Sequence, residues 1–201
     1  MCFNASVSLN TFIFGFIMAI VAYYSKIIRN STILILLSFS SIQLLEYFTW
    51  TYYNNKKINK ILSYIGLIII ITQIYLLNYY LPPVNISRFI LILLLILLIL
   101  FIIIQLPKIK FAMTRGKNKH LIWHWLDLPI IWIIIGLSFY IIPILFTRNL
   151  FIIIIYLLIL AISLYFYWNY KTWGTIWCYF SNSLWVFVLI KLIIKYLFVL
   201  L

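Results

Sequence analysis

Residues 88–107 read RFILILLLILLILFIIIQLP, and no polar or charged side chain interrupts the run from Phe89 to Ile104. A hydrocarbon core about 30 Å thick is crossed by about 20 apolar residues, because a helix rises about 1.5 Å per residue. This stretch therefore predicts a transmembrane helix. Working outward from turn signal to turn signal, the same reading predicts spans near 8–28, 32–53 and 61–82 before it, and 128–147, 149–168 and 178–200 after it. The expected fold class is an all-α polytopic membrane helix bundle of seven transmembrane helices, forming a single integral membrane domain over residues 1–201.

The composition agrees. Of 201 residues, 67% are hydrophobic and 8% charged, far from the balance of a soluble domain. The net charge of +13 does not point to nucleic acid. Its lysines and arginines sit in short loops between apolar runs and make no stripe on one surface. Orientation in a bilayer explains them, since cationic loops stay in the cytoplasm. Lys56, Lys57, Lys60, Lys108, Lys110, Arg115, Lys117, Lys119 and Lys171 fall on the side of the N-terminus, and Lys26, Arg29, Arg88 and Arg148 fall opposite. The expectation is a cytoplasmic N-terminus, with the lipid bilayer as first partner. The basic 108–119 loop should lie on anionic headgroups, where each cation is worth about 1 kcal/mol. Nucleotide hydrolysis is disfavoured by the lack of a Walker-type glycine-rich loop and by a total of two acidic residues.

Polar residues inside apolar spans are the first functional candidates. Gln43, Glu46 and Trp50 fall within about 60° of one another on a helix turning about 100° per residue. They predict a polar face in the second span, which either lines a path or ties helices together. Lys191, deep in the last span, would pair with Glu46 or extend that path. Residues 120–127, HLIWHWLD, hold both histidines and one of the two carboxylates. If helical, they would put His120, His124 and Asp127 on one face. The alternative reading makes them an interfacial rim, with Asp127 capping the fifth span. The expected topology brings Cys2 and Cys178 to the same membrane face. Cys2, Cys178, His120 and His124 would then supply a soft tetrahedral set suited to Zn or Cu.

Three short patches carry a resemblance: the opening MCFNASVS, IQLLEYFTW in the second span, and WGTIWCYFSNSLW at the start of the last. They resemble an uncharacterised family of small multi-pass membrane proteins. Its members open Met-Cys-Phe-Ser-Ala-Thr-Ala-Ser-Phe, carry Gln-x-x-Glu-x-x-x-Trp in the second helix and show Trp-Cys at the last. Asn4 stands here for the usual Ser and Val7 for the usual Ala. The resemblance implies topology and brings no activity with it.

Three function classes follow. A transporter or channel would use Gln43, Glu46, Trp50 and Lys191 as a polar site toward the cytoplasmic half. A membrane-embedded enzyme acting on a lipid or thiol substrate would use the histidines and cysteines, with or without metal. A non-catalytic membrane scaffold would use neither.

Overall fold

A computed structural model describes residues 4–197, apart from the side chains of Phe180 and Ser181. It consists of seven helical rods and a small hairpin. The rods are α1 (Ala5–Ser25), α2 (Asn30–Thr51), α3 (Lys56–Tyr80), α4 (Val84–Ile104), α5 (Ile130–Leu145), α6 (Leu150–Tyr167), and a last rod broken into α7 (Trp173–Ser181) and α8 (Leu184–Leu197). Between α4 and α5, strands β1 (Met113–Arg115) and β2 (Leu121–Trp123) pair antiparallel, with Met113 opposite Trp123 and Arg115 opposite Leu121.

Among the described residues, six helices are long and apolar enough to cross a membrane, counting Trp173–Leu197 as one. The α5 helix has 16 residues, hence about 24 Å of length, short of a full hydrocarbon core. Large apolar side chains cover the outside of the bundle. Phe89 is 69% exposed, Ile103 67% and Ile92 61%, and Ser87 is the one buried residue of α4. In water such a surface would drive aggregation. The chain is an integral multi-pass membrane protein, and its apolar exterior is the surface that lipid covers.

Local chemistry explains where the helices begin and break. The Asn55 side chain accepts from the backbone N–H groups of Lys57 and Ile58, each at 3.1 Å. This cap starts α3 at Lys56, five residues before the expected boundary at 61, because a polar opening turn is helical when capped. Asn4 and Asn149 cap α1 and α6 in the same way. The last rod also starts earlier than 178, at Trp173. It breaks after Ser181, where the Asn182 side-chain amide donates to the Cys178 carbonyl at 2.8 Å, an Asn competing with the backbone ladder.

At the centre, α2 packs against α1, α3 and α7. A polar knot ties the middle of α2 to the break in the last rod and to α8. The Ser40 hydroxyl donates to Asn182 Oδ1 at 2.6 Å and accepts from Trp185 Nε1 at 2.9 Å. Gly15 of α1 makes room for it: a Cβ there would lie 2.5 Å from Ser40 Oγ and 2.9 Å from Trp185 Nε1. In the middle, the Tyr140 hydroxyl donates to Gln73 Oε1 at 2.7 Å, and Gln73 Nε2 donates to the Ser38 carbonyl at 2.8 Å. Amides buried between spans thus act as ties among α2, α3 and α5.

The hairpin closes one end of the bundle. Asn59 of α3 receives the Met113 N–H on Oδ1 at 2.8 Å and donates Nδ2 to the Met113 carbonyl at 2.9 Å. One side-chain amide therefore stands in for a neighbouring strand. Leu121, Trp123 and Trp125 are buried beneath the hairpin, and the two indoles stack at 5.0 Å. Trp125 lies on Gly66 of α3, where a Cβ would come within 2.7 Å of the ring.

Candidate functional site

The segment HLIWHWLD is not one helix. It runs from β2 into a single 3-10 turn, His124–Leu126, because its alternating apolar side chains bury against α3 and α7 in strand order. The histidines separate as a result. His120 is buried edge-on against Tyr167, at 5.7 Å between ring centroids. His124 shares a 2.7 Å hydrogen bond between Nε2 and Thr114 Oγ1. Burial holds His120 well below the usual range, at about 4. His124 is also lowered, by burial first and by Lys110 and Lys171, with Asp127 opposing. Both rings are therefore neutral at pH 7. Asp127 does not cap α5, whose N-cap is Pro129 with no side-chain bond. Its carboxylate instead meets Lys171 Nζ at 2.6 Å.

Among the described residues, no three of His, Cys, Asp and Glu gather as a metal site. Cys2 lies outside the described residues. Cys178 is buried on α7.

Gln43 and Glu46 are fully buried on the inner face of α2. Trp50, one turn on, is half-buried, stacks on Tyr53 at 6.4 Å and sits 6.0 Å from the Arg115 guanidinium. Lys191 departs from the expected polar path: it is exposed on α8, while Trp185 and Val188 take the inward positions. The physical reason is that α8 is held by Trp185, whose Nε1 donates to Ser40 Oγ at 2.9 Å, and this fixes which face turns inward. Three of the four polar candidates therefore share α2, and the fourth is turned away from the core.

What the sequence did not show is a cavity. An almost wholly apolar space of about 140 Å³ lies among α3, α4, α5 and α7, lined by Leu94 and Phe101, by Trp132 and Gly136, and by Trp177 and Cys178. Gly136 matters to it: a Cβ added there meets nothing within 4 Å. Behind Cys178, Tyr140 and Tyr156 pack edge-on against Trp177, at 4.6 and 5.8 Å. Toward the hairpin this space adjoins a second recess of about 330 Å³, and the two share Trp123, Leu126, Trp173 and Gly174 in their walls. Asp127, Lys171, Asn169 and Thr175 make the second recess polar.

The cations cluster on the hairpin side. Lys108, Lys110, Arg115, Lys117 and Lys119 are exposed. The Asn59–Met113 bonds and the 3.0 Å bond from the Arg115 N–H to the Tyr53 hydroxyl bring them to the start of α3, with Lys56, Lys57 and Lys60. The 2.8 Å bond from Asn118 Nδ2 to Thr172 Oγ1 adds Lys171 to the same end.

The chain matches no family model, no curated protein and no solved structure. The site is read from its own chemistry.

Proposed function

We propose that this chain is a transporter-type membrane protein whose cargo is a bilayer lipid or lipid-like amphiphile, taken sideways into the bundle at its basic, cytoplasmic end. In this reading all seven rods cross the bilayer and the N-terminus is cytoplasmic. The observation that carries it is the apolar cavity beside a polar recess: one space walled almost wholly by apolar atoms, and next to it one that mixes charge and aromatic rings. An apolar cavity of about 150 Å³ stays dry and takes small hydrocarbons, so this one suits a stretch of acyl chain. The wall formed by α4 supports lateral entry, since that helix is almost wholly exposed to lipid. An aqueous ion path has less support: Gln43 and Glu46 lie under a hairpin whose tryptophans are buried.

A second reading, catalysis on a lipid or thioester, draws on one observation: Cys178 lines the cavity. A Cys178→Ser protein that keeps lipid uptake but loses turnover of a thioester lipid would select this reading.

The test uses a phospholipid with a diazirine in its acyl chain, photolysed in nanodiscs with the protein. Labels are expected on α4, α5 and α7. Gly136→Leu, whose Cβ meets nothing within 4 Å, puts a side chain into the cavity and should cut that labelling several-fold. Equal labelling of the variant, or labels confined to the outer faces, would refute lateral uptake.

A further inference from the structure

The polar recess sits where α6 ends and α5 and α7 begin, with Tyr167, Ile130 and Trp173 marking those ends. This is the depth at which an amphiphile whose chain lay in the apolar cavity would place its headgroup. Its charged groups are one cation and one anion, Lys171 and Asp127, paired at 2.6 Å with side chains 58% and 46% exposed. An exposed pair of this kind contributes about 0–1 kcal/mol, so a ligand that offers each partner a replacement separates them at little cost. Three indoles, Trp123, Trp168 and Trp173, share the walls with the pair, and Trp168 stacks on Trp173 at 6.0 Å. Indole faces attract ammonium groups, and aromatic surroundings with an acid are the usual receptor for alkylated ammonium.

We propose that this recess is a headgroup site for zwitterionic phospholipids, with the ligand ammonium taken by Asp127 and the indoles and its phosphate by Lys171. The proposal rests on the lateral-uptake reading and adds the chemistry that selects the lipid. A zwitterion replaces the Asp127–Lys171 pair with two new ion pairs, and the site stays neutral. An anionic glycerol headgroup satisfies Lys171 and leaves Asp127 without a cation. The apolar cavity alone makes no such distinction.

The experiment compares phospholipids carrying the same acyl diazirine and different headgroups: phosphocholine, phosphoethanolamine and phosphoglycerol. Wild-type protein should label with both zwitterions about fivefold more than with phosphoglycerol. Asp127→Asn should bring the three lipids within about twofold of one another while acyl labelling of α5 and α7 persists. Lys171→Gln should lower labelling by both zwitterions and phosphoglycerol together, because all three lose their phosphate partner. The charge reversal Asp127→Lys with Lys171→Asp should recover part of the zwitterion preference. Equal labelling of wild type by phosphoglycerol and the zwitterions would overturn the headgroup site and leave lateral uptake standing. Absence of acyl labels from the cavity walls with every headgroup would overturn lateral uptake itself.

Discussion

Replacing Asn59 with Leu should release the hairpin. In the native chain the Met113 N–H and carbonyl, on a residue 2% exposed, both end on the Asn59 amide, at 2.8 and 2.9 Å. Leucine fills a similar volume and offers neither an acceptor nor a donor. Each backbone group left buried without a partner costs about 1–3 kcal/mol, so docking of the hairpin should weaken by about 2–6 kcal/mol. Since about 1.4 kcal/mol is a factor of ten, amide protection in residues 109–127 should fall by roughly 30-fold or more. Hydrogen exchange read by mass spectrometry in nanodiscs measures this directly. Tryptic cleavage after Lys117 and Lys119, both exposed, should accelerate in parallel. Lys60→Leu, at an exposed position one residue away, controls for an added apolar side chain and should change neither readout. Unchanged exchange in Asn59→Leu would show that burial of Leu121, Trp123 and Trp125 holds the hairpin without the amide, and the strand-surrogate reasoning would be wrong.

Two further outcomes are expected. Gly15→Ala forces a Cβ to 2.5 Å from Ser40 Oγ; overpacking of this kind costs about 1–3 kcal/mol and should lower the melting temperature in detergent by about 3 °C or more, whereas unchanged melting would mean that α1 shifts freely over the Ser40–Trp185 knot. Hairpin docking should also depend on pH through His120. Its docked value of about 4 lies below the ordinary 6.5, so the released hairpin binds more protons between these values. Docking is therefore at full strength above about pH 6.5 and weakens as the pH falls toward 4. Tryptophan fluorescence across pH 4 to 8 reads it. His120→Gln should remove most of the slope, His124 supplying a smaller remainder of the same sign, and a slope unaltered by His120→Gln would contradict the assignment.

Much of the bundle was legible because hydropathy is a local property. A run such as 88–107 can satisfy its backbone polar groups in lipid only within its own helix, so its composition alone decided that it is a span. The inner face of α2 was legible for a similar reason: burying Gln43 and Glu46 together follows from helical periodicity. The clustering of cations near the hairpin followed from loop composition, and the contacts of Asn59 and Asn118 account for it atom by atom.

The rest depended on partners far away along the chain. Residues 120–127 have a spacing that a helix would place on one face, and they form a strand and a turn because Met113, across the ladder, bonds to Asn59, 54 residues earlier. Lys191 was misplaced because which face of α8 turns inward depends on Gly15 and Ser40 accommodating Trp185. The cavity was invisible for the same reason, being space left where α3, α4, α5 and α7 fail to close around Gly136. By itself the sequence determined that this protein lives in a bilayer and which of its loops are basic, since transfer of each segment into lipid is settled by that segment. Tertiary structure alone decided the hairpin, the Asp127–Lys171 pair and the cavity, because each exists only when side chains distant in sequence compete for the same volume.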